Sequence, residues 1–587
     1  MFIVHFIWFV CFSLVTFFRV LSRLYVFYTN SSLLFSFPLF RTFSSDLKVT
    51  FLFDSISLSF IRVVLLISTV IMVYSYNYIA PYSKPSYFLW LTVLFVTSML
   101  LVIVIPNLFF AMLGWDGLGL VSFFLIVYYQ NQSSIVSGVF TLLINRLGDS
   151  FFLCSLILIF YSLPDFTFFT SDIPRAFVIT FLVLTFITKR ALYPFSPWLP
   201  LAIAAPTPIS ALVHSSTLVT AGLYFIMRFH YLLYSSPIVI KYLFLARVFT
   251  SFYAGINTIF EVDLKKLIAL STLSHLGFIG IAFSIGLLYL RFFHLLVHAL
   301  FKSLLFMTIG DIIINLNHAQ DARYLSRGYF ITPFSVFLMR VSLLNLLGIP
   351  RLRGFFSKDL VLETMSYSNA SWFVELVLYT NVFFTYYYTY KLFYFSFASN
   401  KLNPYQLHHS VRLLHVCLMR FLGFLTLFFR SLFIGHIFSY LLFYSLPLVV
   451  KFLPIVINLL VFFYLLVFGS LPSIKSKLVA NYGSSMLFLR NIILTVSSNT
   501  YYTILFNSVK STEIGFINFT LNSQFIQPVW SVSASLVASL YKIQSTVLSV
   551  SIFIIFMVLL SLFVLLNNIS LLYMTVTHKI SLEFNIW

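Results

Sequence analysis

The chain has 587 residues, of which 61% are hydrophobic and only 9% charged, with a mean hydropathy of +1.02. Soluble globular domains carry about 25% charged residues, so a soluble fold is excluded and a polytopic membrane protein is required. The formal net charge of +20 suits anionic lipid head groups, at ~1 kcal/mol per basic residue near the surface. No basic run is long enough to track phosphates, which argues against a nucleic-acid partner.

Apolar runs of about 20 residues mark spans. In chain order they fall near 2–20, 24–42, 51–79, 86–105, 107–129, 135–161, 175–193, 207–229, 237–259, 265–289, 291–315 and 330–368. Others follow near 372–397, 416–444, 446–471 and 546–573, about sixteen in all. The opening run MFIVHFIWFVCFSLVTFF lacks the basic amphipathic character of a transit peptide, so it is expected to stay as a span in a chain made inside an organelle. The 74 Phe and 35 Tyr residues fit the codon bias of a T-rich organellar genome. Between 472 and 545 the texture is too polar for a span; it reads as an extramembrane loop or as a lateral amphipathic element anchored by the final span.

Cys11, Cys154 and Cys417 are too far apart for an iron–sulfur or zinc spacing. The Gly117-Leu118-Gly119 triplet follows no strand and reads as a helix-packing feature rather than a nucleotide loop.

Ionisable residues inside apolar helices carry the functional signal, because each costs roughly 2.5–3.5 kcal/mol at membrane depth. His294, His298 and Lys302 stand at i, i+4 and i+8 in FHLLVHALFKSLLF and form one stripe. Asp116 and Asp149 lie in mid-helix contexts; Arg146 is the local partner for Asp149, and Asp116 must find its own on another helix, for which Lys189 is the candidate. In such a pair a carboxylate within about 4–6 Å keeps the lysine charged and its withdrawal releases the proton. His214 in PTPISALVHSSTLVTAG reads as a hydrogen-bonded core histidine or as a proton carrier. Glu261, Asp263, Lys265 and Lys266 read as a solvated loop with helix capping.

Lys189 stands just before Pro194 and Pro197, and Lys358 follows Pro350 and Gly354. Proline removes a backbone donor, so these two spans, the seventh and the twelfth, are expected to be broken and to line a cavity. Breaks five helices apart suit two five-helix inverted repeats.

GWDGLGLVSFFLI, INRLGD, WLP followed by APTPISALVHSSTLVTAGLYFI, DLKKLIALSTLSHLGF, FHLLVHALFKSLLF, GFFSKD and TYYYTYKLF occur in an order that resembles the chain 5 family of NADH-ubiquinone oxidoreductase, closely over about 51–395. Members are the distal antiporter-like membrane subunits of respiratory complex I. The resemblance implies an all-α polytopic membrane protein of about sixteen helices, with two inverted antiporter-like repeats and a lateral helix. Its segments would be N-terminal helices to 105, an antiporter-like core at 106–400, further helices at 401–471, the lateral element at 472–545 and an anchor with tail at 546–587.

By that resemblance Asp116 stands at the family's essential fifth-helix glutamate, Asp149 at the sixth-helix acid, Lys189 at the seventh-helix lysine and His214 at the eighth-helix position. His298 and Lys302 match the eleventh-helix relay, Lys358 the exit lysine and Asp359 the acid after it. The implied function is proton translocation coupled to electron transfer from NADH to ubiquinone in partner subunits, which also hold FMN and iron–sulfur clusters; this chain itself would bind no cofactor or metal. Implied partners are the other membrane-arm subunits, especially the adjacent chain 4, and phospholipids including cardiolipin, in the mitochondrial inner membrane. A stand-alone cation/proton antiporter subunit, a plastid homologue and a purely structural anchor are the alternatives. Three departures stand out: Asp116 is one methylene shorter than the family glutamate, WLPLAI loses an acid at Leu201, and Lys391 replaces an arginine.

Overall fold

The computed structural model describes residues 32–41, 46–79, 85–162, 176–213, 215, 217–230, 233, 236–283, 288–316, 318–349, 352–367, 372–397, 419–424 and 448–467, all within one compact unit, Met1–Leu487. The expected spans near 2–20 and 546–573, and the late polar stretch, lie outside them.

The first described element corrects the expectation of helices alone. Instead of a span over 24–42, strand β1 (Leu33–Arg41) pairs antiparallel with β2 (Asp46–Phe53), with a register irregularity between Pro38 and Phe40. Pro38 would break a helix there, and the dense Phe residues with Val49 and Thr50 favour a pleated strand.

The rest is helical. α1 (Ser55–Ile79), α2 (Pro85–Val104), α3 (Leu108–Ile126) and α4 (Gln132–Ser162) lead to α5 (Ala176–Lys189) and the short α6 (Trp198–Leu201). Then come α7 (Thr207–Val213), α8 (Leu218–Arg228), α9 (Pro237–Phe260), α10 (Leu264–Phe283) and α11 (Leu288–Asn315). α12 (Leu325–Ile331), α13 (Pro333–Leu347), α14 (Arg353–Tyr367), α15 (Trp372–Phe397) and α16 (Leu448–Val467) complete the described set. Eight segments among the described residues are long and apolar enough to cross a membrane, making this a multi-pass membrane protein.

Burial sorts these spans. Leu290–Gly310 and the described residues from Thr207 to Met227 are buried throughout, whereas α3 and α4 turn Phe109, Leu113, Leu143 and Ile157 outward. The most ionisable segment of the sequence thus runs through the centre, shielded from lipid by its neighbours.

Both anticipated breaks are present, and a third occurs. α5 stops at Lys189; Ala191 takes a left-handed φ of 55° and the Tyr193–Pro194 peptide is cis. α13 ends at Gly348 (φ 74°), whose N–H caps the Asn345 carbonyl, and α14 begins five residues later. Gly354 presses on that carbonyl so closely that an added Cβ would fall 1.6 Å from the Asn345 oxygen. The third break, between α7 and α8, has no proline or glycine inside it. The junction after α9 also corrects the reading of a solvated loop: Glu261 and Lys265 are buried, and the backbone of Val262 and Leu264 bonds to Ala322 and Gln320. Lys266 and Asp263 do form an exposed pair at 2.7 Å. Burial pushes the Glu261 carboxyl up against the opposing pull of Lys266.

One polar pin closes the front of the bundle. Asp54 caps α1, accepting from Ser57 N at 2.8 Å. It also takes a bidentate contact from Arg228, at 2.5 and 2.7 Å, at the end of α8. Arg228 Nε donates to the Tyr224 hydroxyl, which donates to Ile103 O at 2.8 Å on α2. Burial raises the Asp54 carboxyl, but Arg228 and Ser57 override it and hold the group below its ordinary value. A depressed carboxylate stabilises the fold above its unfolded-state value and loses that contribution as pH falls through the folded one. Asp54→Asn is therefore expected to destabilise the detergent-solubilised protein by about 1–3 kcal/mol at neutral pH. In thermal unfolding the gap to the parent should close below about pH 4; a constant gap across pH would remove the charge from the explanation. Gly354→Ala is expected to cost about 3 kcal/mol, because the clash is with backbone that cannot rotate away. An unchanged melting temperature would show that the break relaxes freely.

Candidate functional site

α3 meets α4 and α5 through glycines. Gly148 lets α4 come against Thr188, and Gly119 leaves room for a lysine ammonium: an added Cβ would stand 3.1 Å from Lys189 Nζ. Lys189 is fully buried and donates to the main-chain oxygen of Trp115 at 2.9 Å, 5.0 Å from the Trp115 ring centroid. The helix break and the glycines together bring a cation against α3 backbone that a side chain would otherwise cover.

The acids beside it are bridged by Arg146. Its guanidinium stands 3.4 Å from Asp149 Oδ2 and 3.7 Å from Asp116 Oδ2. The partner of Asp116 does come from another helix, but the contact within 4 Å is Arg146 rather than Lys189. Asp149 is buried, whereas the Asp116 and Arg146 side chains are 31% and 42% exposed. The charged trio thus reaches from the buried lysine to the outer face of the chain, where the surrounding side chains are Leu113, Leu120, Leu143 and Leu147.

Further along, Lys302 on α11 donates to Ser271 Oγ of α10 at 2.6 Å and lies 5.7 Å from the Tyr388 ring of α15. Four residues back, His298 is fully buried with neither ring nitrogen hydrogen-bonded to protein. His294, another turn back, bonds through Nδ1 to Ser357 Oγ at 2.8 Å. Ser357 precedes Lys358, whose ammonium donates to Thr385 Oγ1 at 2.8 Å and sits 4.7 Å from the Tyr386 ring. A cleft opens beside it, lined among others by Gly348, Phe355, Asp359, Tyr386 and Asn458. Asp359 is half-buried there. His214 lies outside the described residues, between α7 and α8.

The stripe and Lys358 with Asp359 occur on adjoining helices, α11 and α14, while Lys189 and its acids form a second group on α3, α4 and α5. Sequence reasoning missed the groups that hold them: Ser271 and His275 on α10, Ser357 on α14, and Thr385 and Tyr388 on α15. The i, i+4 spacing of Ser271 and His275 was a usable signal. It also missed three arginines that are almost completely buried, Arg190, Arg247 and Arg291; Arg190 and Arg247 donate to Leu276 O and Gly280 O on α10.

Lys391, the residue in place of an arginine, donates to Ile259 O and Glu261 O at 2.7 and 2.6 Å. It thereby satisfies carbonyls at the C-terminus of α9 as a cation there should.

Comparison with known proteins identifies the family. The family described as "NADH:quinone oxidoreductase/Mrp antiporter, TM" matches residues 106–385, which contain Asp116, Asp149, Lys189, His298, Lys302, Lys358 and Asp359 but end before Tyr388 and Lys391. NADH-ubiquinone oxidoreductase chain 5 of Anopheles gambiae is 37% identical over 487 residues, covering 81% of each chain. The chain 5 of Aedes aegypti is 44% identical over 362 residues, 61% of this chain and 62% of that one, so this second match spans under two thirds of its relative. Among solved structures, a chain of the Mrp complex from Dietzia sp. DQ12-45-1b superposes with a TM-score of 0.65 at 21% identity, covering 88% of this chain and 58% of that one. A chain of the archaeal membrane-bound sulfane sulfur reductase gives 0.64 at 18% identity, with 74% and 91% covered. At those identities the structures speak for the fold alone. With a buried lysine at each of the two anticipated breaks and relatives of this similarity, the chain belongs to the NADH-ubiquinone oxidoreductase chain 5 family.

Proposed function

We propose that this chain is the proton-translocating membrane-arm subunit of a respiratory complex I, working in a mitochondrial inner membrane and made inside the organelle. Electron transfer from NADH to ubiquinone takes place in partner subunits, which carry the flavin and iron–sulfur centres. The observation that carries the reading is a run of buried ionisable residues, Lys189, Lys302, His298 and Lys358, on interrupted or enclosed helices. An inert anchor would gain stability by replacing them with apolar side chains.

In the mechanism Asp116, Asp149 and Arg146 form a charged set whose arrangement governs whether Lys189 keeps its proton. His214, His298 and Lys302 pass the proton along the bundle, and Lys358 with Asp359 releases it at the cleft. Moving one charge against a membrane potential takes ~2.3 kcal/mol per 100 mV, and shifting one close carboxylate–lysine contact is an effect of that order. The partially exposed Asp116–Arg146 pair on an apolar outer face favours a neighbouring subunit there, since lipid would not solvate it; the adjacent antiporter-like chain 4 is the candidate, with cardiolipin filling gaps. About sixteen helices, inverted repeats and a lateral element at 472–545 complete the proposed architecture.

Three variants test the reading. Lys189→Ala in the assembled complex is expected to lower NADH-driven proton pumping by roughly tenfold or more, with subunit content on native gels unchanged. Parental pumping rate and stoichiometry would refute the role. Asp116→Glu should pump normally, whereas Asp116→Ala should behave like Lys189→Ala; equal impairment of both would mean that carboxylate placement, not charge, limits the site. The Mrp-like fold sustains a second reading, a stand-alone cation/proton antiporter. Failure to copurify with an NADH-oxidising assembly would decide for it.

A further inference from the structure

His275 belongs to no role assigned above, yet it sits at the centre of the buried cluster. It lies on α10 one turn after Ser271 and is 2% exposed. Its Nε2 is 2.9 Å from the Tyr388 hydroxyl. Its ring centroid is 5.7 Å from that of His298 and 6.5 Å from that of His294. Lys302 and Lys358 are the cations facing it.

The hydrogen bonds leaving Lys302 do not follow the α11 stripe. Lys302 Nζ donates to Ser271 Oγ at 2.6 Å; the Ser271 hydroxyl itself donates to Ile268 O at 2.6 Å and lies beside the Tyr388 hydroxyl, which is 2.9 Å from His275 Nε2. Along the stripe itself, His298 has no protein hydrogen bond to pass a proton through. Protein groups alone therefore join Lys302 to a histidine by way of α10 and α15. From His275 the rings of His298 and His294 stand 5.7 and 6.5 Å away, and His294 Nδ1 reaches Ser357 beside Lys358.

We propose that His275 is a proton-carrying residue of this path, receiving its proton from Lys302 through the hydroxyls of Ser271 and Tyr388. The step balances. The Lys302 ammonium gives a proton to Ser271 Oγ, the Ser271 hydroxyl turns from the Ile268 carbonyl and gives its own to the Tyr388 oxygen, and Tyr388 gives its own to His275 Nε2. Lys302 ends neutral, His275 ends as imidazolium, and both hydroxyls are regenerated. A tyrosine and a serine serve because each is at once donor and acceptor, and histidine because it takes a proton on one ring nitrogen and gives one from the other.

The inference rests on the proposed proton-pumping role, so its test includes a variant that probes that role separately. The assembled complex is reconstituted in vesicles and NADH-driven lumen acidification is measured for His275→Gln, Tyr388→Phe, Ser271→Ala, the His275→Gln/Tyr388→Phe double variant, and Lys302→Met. Glutamine keeps a hydrogen bond to Tyr388 but does not shuttle protons, so a merely structural His275 would survive it. Expected are at least a tenfold loss of pumping in His275→Gln and in Tyr388→Phe, with normal subunit content, and a double variant no worse than either single one, as members of one wire are non-additive. If either single variant fails to assemble, Ser271→Ala, which cuts the same wire at its first link, must show the loss. Pumping within twofold of the parent in assembled His275→Gln, while Lys302→Met abolishes it, overturns the assignment of His275 and leaves the pumping role standing. Normal pumping in Lys302→Met overturns the role and the wire with it.

Discussion

The bundle is governed by the need to satisfy every buried polar group from within the protein, because lipid supplies no hydrogen bonds. Each lysine answers it differently. Lys189 takes a helix carbonyl laid open by glycine, Lys302 and Lys358 take hydroxyls, and Lys391 takes the unfilled carbonyls ending α9. None of these partners is a carboxylate. The cations are solvated by neutral dipoles, which hold a charge in place without neutralising it, and acids act from beside them: Asp149 and Asp116 on Lys189, Asp359 on Lys358 and Glu261 on Lys391.

The same constraint explains the glycines and the breaks. A lysine bonds backbone only where no Cβ intervenes, as at Gly119, and a helix turns within the bundle only where a residue such as Gly348 accepts a left-handed conformation. Gly354 adds contact between chain segments at a distance no side chain permits. These residues are as much a part of the site as the groups that titrate.

Much of this was legible in the sequence. Apolar runs located the spans from α2 to α11 within a few residues, proline and glycine marked two breaks, and the i, i+4 pattern on α11 placed three ionisable groups on one face. What stayed hidden depends on contacts between segments distant in the chain. Nothing local distinguishes a bridging Arg146 from a partner of Asp149 alone, or Ser271 and Tyr388 from ordinary helix residues. The hairpin before α1 was misread because hydrophobicity without period does not separate strand from helix, although Pro38 argued for the strand. The α7–α8 break carries no breaker residue, so composition could not reveal it.

Helix α15 meets the site three times. Thr385 receives Lys358, Tyr388 faces Lys302 and bonds His275, and Lys391 fastens the far end to the α9 terminus. A helix rises 1.5 Å per residue, and a hydrogen bond of 2.8 Å is lost within about that distance. A slide of α15 by a single residue would therefore break the bonds of Lys358, Lys391 and His275 at once and carry the Tyr388 ring away from Lys302. One rigid rod gives the cluster a common timing: these charges change partners together or not at all.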